Sequence, residues 1–341
     1  MAEAVIASRQ RSRNIARRLI DRPEVGALIG FAVVWTLFAI VGGGSGFLTD
    51  LGVASYLDVA AQVGIIGTSV TLLLIAGEFD LSIGSMIGFS GMVIGLGTTQ
   101  AGWPLWLALL VAFGIAIGYG AIVGWLVVRT GLPSFIVTLA GLFLLRGATI
   151  GFSRAIAQQP YIGGIKDAVE GDPLAGLFAG DLIGTLDKSF AWWMLLMVLG
   201  TILLTKMRFG NWIFASGGSA TAARAQGVKV GQVKVLLFMF CAASATLLAA
   251  INVLTLGSAD SFRGQGKEFE AAITAVIGGT SLSGGIGSVV GTAIGSLTLG
   301  VVRQGLFFAG VDADWYQAVL GLILLVAVLI NHRVRKAARE G

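Results

Sequence analysis

Leu105-Trp-Leu-Ala-Leu-Leu-Val-Ala-Phe-Gly-Ile-Ala-Ile-Gly-Tyr-Gly-Ala-Ile-Val-Gly-Trp-Leu-Val-Val128 carries no charged residue over its whole length and stops at Arg129. As a helix rising 1.5 Å per residue it spans about 36 Å, more than the roughly 30 Å of hydrocarbon in a bilayer. It is apolar on every side, so it has no surface to turn toward water and belongs among lipid or other helices. Ala27–Val41 and Tyr316–Ile330 read the same way. The whole chain agrees: 56% of its 341 residues are hydrophobic and 12% charged, against roughly 25% charged in a soluble domain. The fold class that follows is all-α, a polytopic membrane helix bundle of about ten transmembrane segments, some short or broken.

Such a sequence leaves no room for a soluble catalytic domain. Its longest polar stretches, Ser153–Phe190 and Lys206–Lys234, are each too short to bury a core. The layout is a basic segment over 1–24, a membrane domain over 25–331 with a polar loop at about 206–234, and a basic tail over 332–341. Cys241 is the single cysteine, which excludes an intrachain disulfide, and the single histidine, His332, sits in the basic tail. There is no paired-acid, His/Cys or metal-ligand constellation, so the chain is not read as an enzyme and no metal is expected on it. Arg9, Arg11, Arg13, Arg17 and Arg18 precede an apolar stretch, as in a signal peptide. That stretch is long and ends at Val41–Phe47 in a glycine run without an Ala-x-Ala site, so it is read as the first membrane helix.

Apolar segments fall near 26–43, 53–75, 81–98, 104–128, 134–152, 191–205, 235–256, 270–281, 287–304 and 315–331. With the N-terminus inside and the segments alternating, the inside collects the N-terminal arginines, Arg129 and the Lys206–Lys234 group. Arg333, Arg335, Lys336 and Arg339 join them there. The outside keeps Arg154, Lys166, Lys188, Arg263 and Lys267. This excess of Lys and Arg on one side puts both termini in the cytoplasm. It also accounts for the net charge of +5 without any nucleic-acid partner. Segment 270–281 is short and bounded by glycines, so a full crossing and a re-entrant loop both stay open.

Many of the 51 glycines are spaced at four: Gly84/Gly88, Gly91/Gly95, Gly114/Gly118 and Gly287/Gly291/Gly295. Small residues at that spacing let helix backbones approach closely in lipid. Most of them are packing positions; the rest mark helices that slide or break.

Three stretches say more than their composition requires. In Gly77-Glu-Phe-Asp-Leu-Ser-Ile-Gly-Ser85, Glu78 and Asp80 stand beside apolar helices, where carboxylates sit in cytosol, bind a partner or line a cavity. Asp80 or Ser82 is also placed to cap the following helix. Within Gly210–Lys234, Ser219–Gln226 reads as a short helix with Ser219 as N-cap, an alanine-rich body and Gly227 as its stop. Held between two membrane helices, it is suited to receive a push from a soluble partner; the plainer reading is a connecting loop. In Glu270–Gly295, Leu282-Ser-Gly-Gly285 copies part of the signature loop of ABC ATPases. That loop works only in a domain that also has a Gly-x-x-x-x-Gly-Lys-[Ser/Thr] phosphate loop, which this chain lacks, so ATP binding here is rejected. The glycines are read as a break between two short membrane segments.

In order and spacing these stretches resemble the inner-membrane permease subunits of bacterial ABC monosaccharide importers, the ribose/xylose/arabinose/galactose type, over roughly residues 50–331. The resemblance is strongest in Gly77–Gly84, Ala215–Lys234 and Ala275–Gly291, and Gly310-Val-Asp-Ala-Asp-Trp-Tyr-Gln317 adds to it. It implies a multi-pass protein of the bacterial inner membrane, a second permease copy in a homodimer or a close pair of permeases around a shared pore, and a periplasmic sugar-binding protein. Cytoplasmic ABC ATPase subunits would hold ATP and Mg, with no cofactor on this chain. By the same resemblance Ser219, Ala222, Ala223, Arg224 and Gly227 belong to the coupling helix that docks into the ATPase. The Glu78-Phe-Asp80 triplet departs from the family's commoner glycine/isoleucine version and leaves Glu78 without a role.

Candidate pore or gate residues are the polar ones inside segments: Asn252, Thr255, Arg303 and Gln304, with Arg146 beside them. Helix–helix hydrogen bonding is the plainer role for each. The rival function is a stand-alone sugar facilitator or secondary transporter, in which intramembrane acids serve as ion relays. Asp50, Asp58, Glu78, Asp80, Asp312 and Asp314 all fall at expected interfaces, which weakens ion coupling and leaves the facilitator standing.

Overall fold

The computed structural model of the chain describes residues 23–340, with side chains to Leu329. The N-terminal arginines fall outside the described residues, and the side chains of His332 and of the tail arginines fall outside the described side chains. Helices α1 (Pro23–Gly42), α2 (Asp50–Ile75), α3 (Ile83–Thr99), α4 (Leu105–Thr130) and α5 (Ser134–Ala157) come first. The polar stretch after α5 holds strand β1 (Tyr161–Ile162), the short helices α6 (Ile165–Ala168) and α7 (Ala175–Phe178), and a hairpin of β2 (Asp181–Ile183) and β3 (Leu186–Asp187). Then follow α8 (Ser189–Lys206), α9 (Arg208–Gly218), α10 (Ala220–Ala225) and α11 (Val230–Leu256). Strand β4 (Ala259–Asp260), which pairs antiparallel with β1, leads to α12 (Lys267–Ile277), α13 (Val289–Phe308) and α14 (Tyr316–Glu340).

Among the described residues seven helices, α1, α2, α4, α5, α8, α11 and α13, are long and apolar enough to cross a membrane. Two shorter apolar helices, α3 and Tyr316–Leu329 of α14, join them, and α12 completes the bundle. Helix ends follow local chemistry. Pro104 precedes α4, where its missing amide is harmless, and Gly131 at φ +69° closes it while donating its N–H to Val127.

The mostly buried α2 is the centre, packed by α8, α11, α12 and α13. Since lipid supplies no hydrophobic drive between helices, close packing and hydroxyl pairs hold them together. Ser69 bonds Ser244 at 2.6 Å, Thr71 bonds Thr292 at 2.5 Å and Ser90 bonds Thr246 at 2.8 Å, all buried. A Ser244→Ala chain is expected to lose about 0.6 kcal/mol of unfolding free energy in detergent, a small change because Ser69 keeps its bond to the Ile66 carbonyl. Denaturant titration in micelles measures it, and a loss above about 2 kcal/mol would contradict this account.

Segment 270–281 resolves into something between the two expectations. Helix α12 covers only 11 residues and the chain from Gly278 to Ser288 is irregular. The segment nevertheless crosses the bundle. Lys267, at the start of α12, borders the same cavity as Thr255 and Leu256 at the C-terminal end of α11. Beyond the segment the amide of Gly285 donates to the Ile75 carbonyl at the C-terminal end of α2, 2.8 Å away. Glu78 meets Lys234 there, so α2 ends where α11 begins and those two helix ends lie on opposite sides. Within the irregular stretch residues 278–281 are buried in the protein, whereas Leu282, Ser283 and Ile286 are exposed. The non-helical link from α2 to α3 is sheltered in the same way: the Phe79 amide donates to Ser134 Oγ of α5 at 3.1 Å.

Candidate functional site

At one end of the bundle the carboxylate of Glu78 and the ammonium of Lys234 form an ion pair, with side chains only 10% and 16% exposed. This pair gives Glu78 the role that sequence alone left empty. Asp80 is buried and accepts from the Ser82 amide at 2.8 Å and the Ser82 hydroxyl at 2.6 Å. Ser82 stands at the N-cap position of α3 without a side-chain bond to it, so the expected helix cap is a turn closed on itself before the helix starts.

Beside this pair three backbones meet. A side-chain carbon on Gly217, in the last turn of α9, would strike the Ile75 carbonyl and the Gly285 amide, while Gly284 lies against Gly217 and Gly77. The polar loop is thereby seated on both the end of α2 and the irregular part of the α12 segment. In α10, Ser219 Oγ accepts from the Ala222 amide at 3.3 Å, the cap expected from sequence. Ser219, Ala222, Arg224 and Gly227 are exposed, whereas Ala223 turns inward and is buried.

Toward the opposite end lies a cavity of about 280 Å³, bordered by Asp58 and Gln62 of α2, Asn252 and Thr255 of α11, Lys267 of α12 and Arg303 of α13. Asp187 of β3 and Arg263 close its edge. Three of the four pore candidates are therefore brought together. Gln304 lines a neighbouring cavity of about 240 Å³ with Arg303 and Tyr316. Arg146, on α5, lines neither of these two and lies within electrostatic reach of Glu268.

Every charged group on the first cavity already has a protein partner. Lys267 donates to Glu270 at 2.6 Å, and Arg303 lies 3.9 Å from Glu270 and 5.2 Å over the Tyr316 ring. Arg263 donates to the carbonyl and hydroxyl of Ser258. Asp58 accepts from the Asp187 amide at 3.2 Å, and the Asp187 carboxylate accepts from the Ser189 amide at 2.7 Å. The amides of Gln62 and Asn252 have no protein hydrogen bond among the described residues, and the buried Thr255 hydroxyl has none either. Gln62 was missed by sequence reasoning, although an amide inside an apolar segment was a usable signal. Asp187 had none, because it reaches the cavity from a loop more than a hundred residues away.

Residues 52–328 match the family described as branched-chain amino acid transport system / permease component. The chain belongs to that permease family. Ribose import permease protein RbsC of Escherichia coli (strain K12) is 31% identical over 313 residues, covering 91% of this chain and 92% of the relative. Probable ABC transporter permease protein YphD of the same organism is 32% identical, covering 90% and 89%. Xylose transport system permease protein XylH of Haemophilus influenzae is 27% identical, covering 91% and 96%. No solved structure matches. The chain is a transport permease embedded in a membrane, as the sequence resemblance implied, and the family works with ATPase and periplasmic binding-protein partners.

Proposed function

We propose that this chain forms the translocation path of an ATP-driven importer for a monosaccharide in the bacterial inner membrane. The observation that carries the reading is the match along nine-tenths of the chain to permeases named for ribose and xylose. The family description names branched-chain amino acids instead. The cavity's charged side chains are all held within the protein, Lys267 and Arg303 by Glu270, and Asp58, Asp187 and Arg263 by neutral groups. Its groups without a protein partner among the described residues are two amides and a hydroxyl. Those suit sugar hydroxyls, which both donate and accept.

In this reading both termini and the α9–α10 loop face the cytoplasm, where the excess of Lys and Arg falls. Helix α10 docks into ATPase subunits that hold ATP and Mg, and a second copy of the chain completes the pore. The polar cavity then faces the periplasmic binding protein. The test is purification of the tagged chain in mild detergent with mass spectrometry of what accompanies it, followed by reconstitution. Recovery of a phosphate-loop ATPase and ATP-dependent sugar uptake supports the importer; a chain that passes sugar alone down a gradient would overturn it in favour of a facilitator.

Replacing exposed Ala222 and Arg224 by Glu is expected to cut uptake at least tenfold and change folding stability by no more than about 0.5 kcal/mol per site, as for other surface substitutions. Paired uptake and melting measurements check this. Normal uptake would remove α10 from the coupling surface. Ala223 is unsuitable for the same test, because a buried acid there would disturb packing.

A further inference from the structure

The cavity near Asp187 does more than offer a polar passage. We infer that Gln62, Asn252 and Thr255 form a sugar-binding subsite of the permease itself, which holds a monosaccharide by its hydroxyls after delivery. The inference rests on the importer reading above and adds a selecting site on this chain, where a bare pore would leave all choice to the binding protein.

Three observations carry it. Two helices, α2 and α11, line one half-open cavity with hydrogen-bonding side chains that have no protein partner among the described residues. Buried polar groups are ordinarily satisfied within the protein. The buried, unpartnered Thr255 hydroxyl beside the half-buried amides of Gln62 and Asn252, which have no protein partner among the described residues, therefore marks a place where a ligand or water supplies them. The chemistry of the three is also matched: each amide presents two donors and an acceptor, the hydroxyl adds one of each, and vicinal sugar hydroxyls pair with both. The volume, about 280 Å³, falls just below the range for ligand pockets, roughly 300–1,000 Å³, which suits nothing larger than a single ring. The hairpin of β2 and β3 borders this space through Asp187, whose amide leans on Asp58, so an element outside the helix bundle contributes to the rim.

The test uses the full chain in membranes with its ATPase, carrying Asn252→Cys in a Cys241→Ser background; Cys241 itself is buried. A membrane-impermeant methanethiosulfonate is added from the periplasmic side, alone or with d-ribose, d-xylose or sucrose. One of the monosaccharides is expected to slow modification at least threefold while sucrose does not. Leu182→Cys on the exposed hairpin should label at one rate throughout. Adding Gln62→Leu should raise the sugar concentration for half-protection roughly three- to tenfold, the weight of one lost hydrogen bond. Equal labelling with and without sugar would show a merely solvated vestibule, and no labelling at all a position closed to the periplasmic side; either overturns the subsite.

Uptake of ribose and xylose by the unsubstituted transporter is measured alongside. Uptake without protection removes the subsite and leaves the importer; protection without uptake supports the subsite and counts against the importer. Absence of both overturns the two together.

Discussion

Glu78→Ala is expected to destabilise the protein by about 3 kcal/mol, the low end of the cost of leaving one member of a buried ion pair uncompensated, because this pair is part-buried. Lys234 sits near the start of α11, and its side chain is 16% exposed. The converse change, Lys234→Ala, should cost a similar amount by stranding Glu78. The decisive comparison is the exchange Glu78→Lys with Lys234→Glu, which keeps opposite charges in contact and should recover most of the loss. Replacing both by Met should recover part of it, because a well-packed apolar pair often equals a buried ion pair. Denaturant titration in detergent measures all four chains. A loss below about 0.5 kcal/mol for Glu78→Ala would place the pair in solvent, where ion pairs contribute little.

Gly217→Val is expected to abolish uptake and cost about 3 kcal/mol, whereas Gly218→Val is expected to be tolerated. The two glycines are adjacent in α9, yet an added carbon meets nothing within 4 Å at Gly218 and strikes backbone on two sides at Gly217. Those two neighbours, the Ile75 carbonyl and the Gly285 amide, are already bonded to each other at 2.8 Å. Neither is a flexible side chain that can swing aside, so α9 must lift off the end of α2. Overpacking of this kind typically costs 1–3 kcal/mol and sometimes more. If α10 receives the stroke of an ATPase, this contact carries it into the α12 segment, and uptake should fall further than stability alone explains. Equal behaviour of the two variants in uptake and melting would remove Gly217 from that role.

Much of the architecture was legible because lipid imposes a simple rule. Every backbone polar group in hydrocarbon must be satisfied internally, so uncharged apolar runs such as Leu105–Val128 have helix as their solution. The capped helix at Ser219 was legible for a different reason, since its bond spans only three residues. Segment 270–281 was ambiguous because a short apolar run bounded by glycines fits both a break and a re-entrant loop. Only the contact of Gly285 with Ile75, across more than two hundred residues, shows that the chain gets to the far side.

The candidate cavity divides the same way. Asn252, Thr255 and Arg303 were visible as polar residues in apolar segments, but their convergence with Gln62 and Asp187 was not. Sequence by itself determined that this is a helical membrane permease and which residues lie in its apolar segments. Those properties depend on neighbours along one helix and on the solvent. Tertiary structure alone decided that Glu78 answers Lys234, that Gly217 is a contact point and Gly218 is not, and which polar side chains stay uncommitted. Each of these is a pairing between distant stretches, set by how helices register against one another, and a helix's own composition carries no record of what will face it.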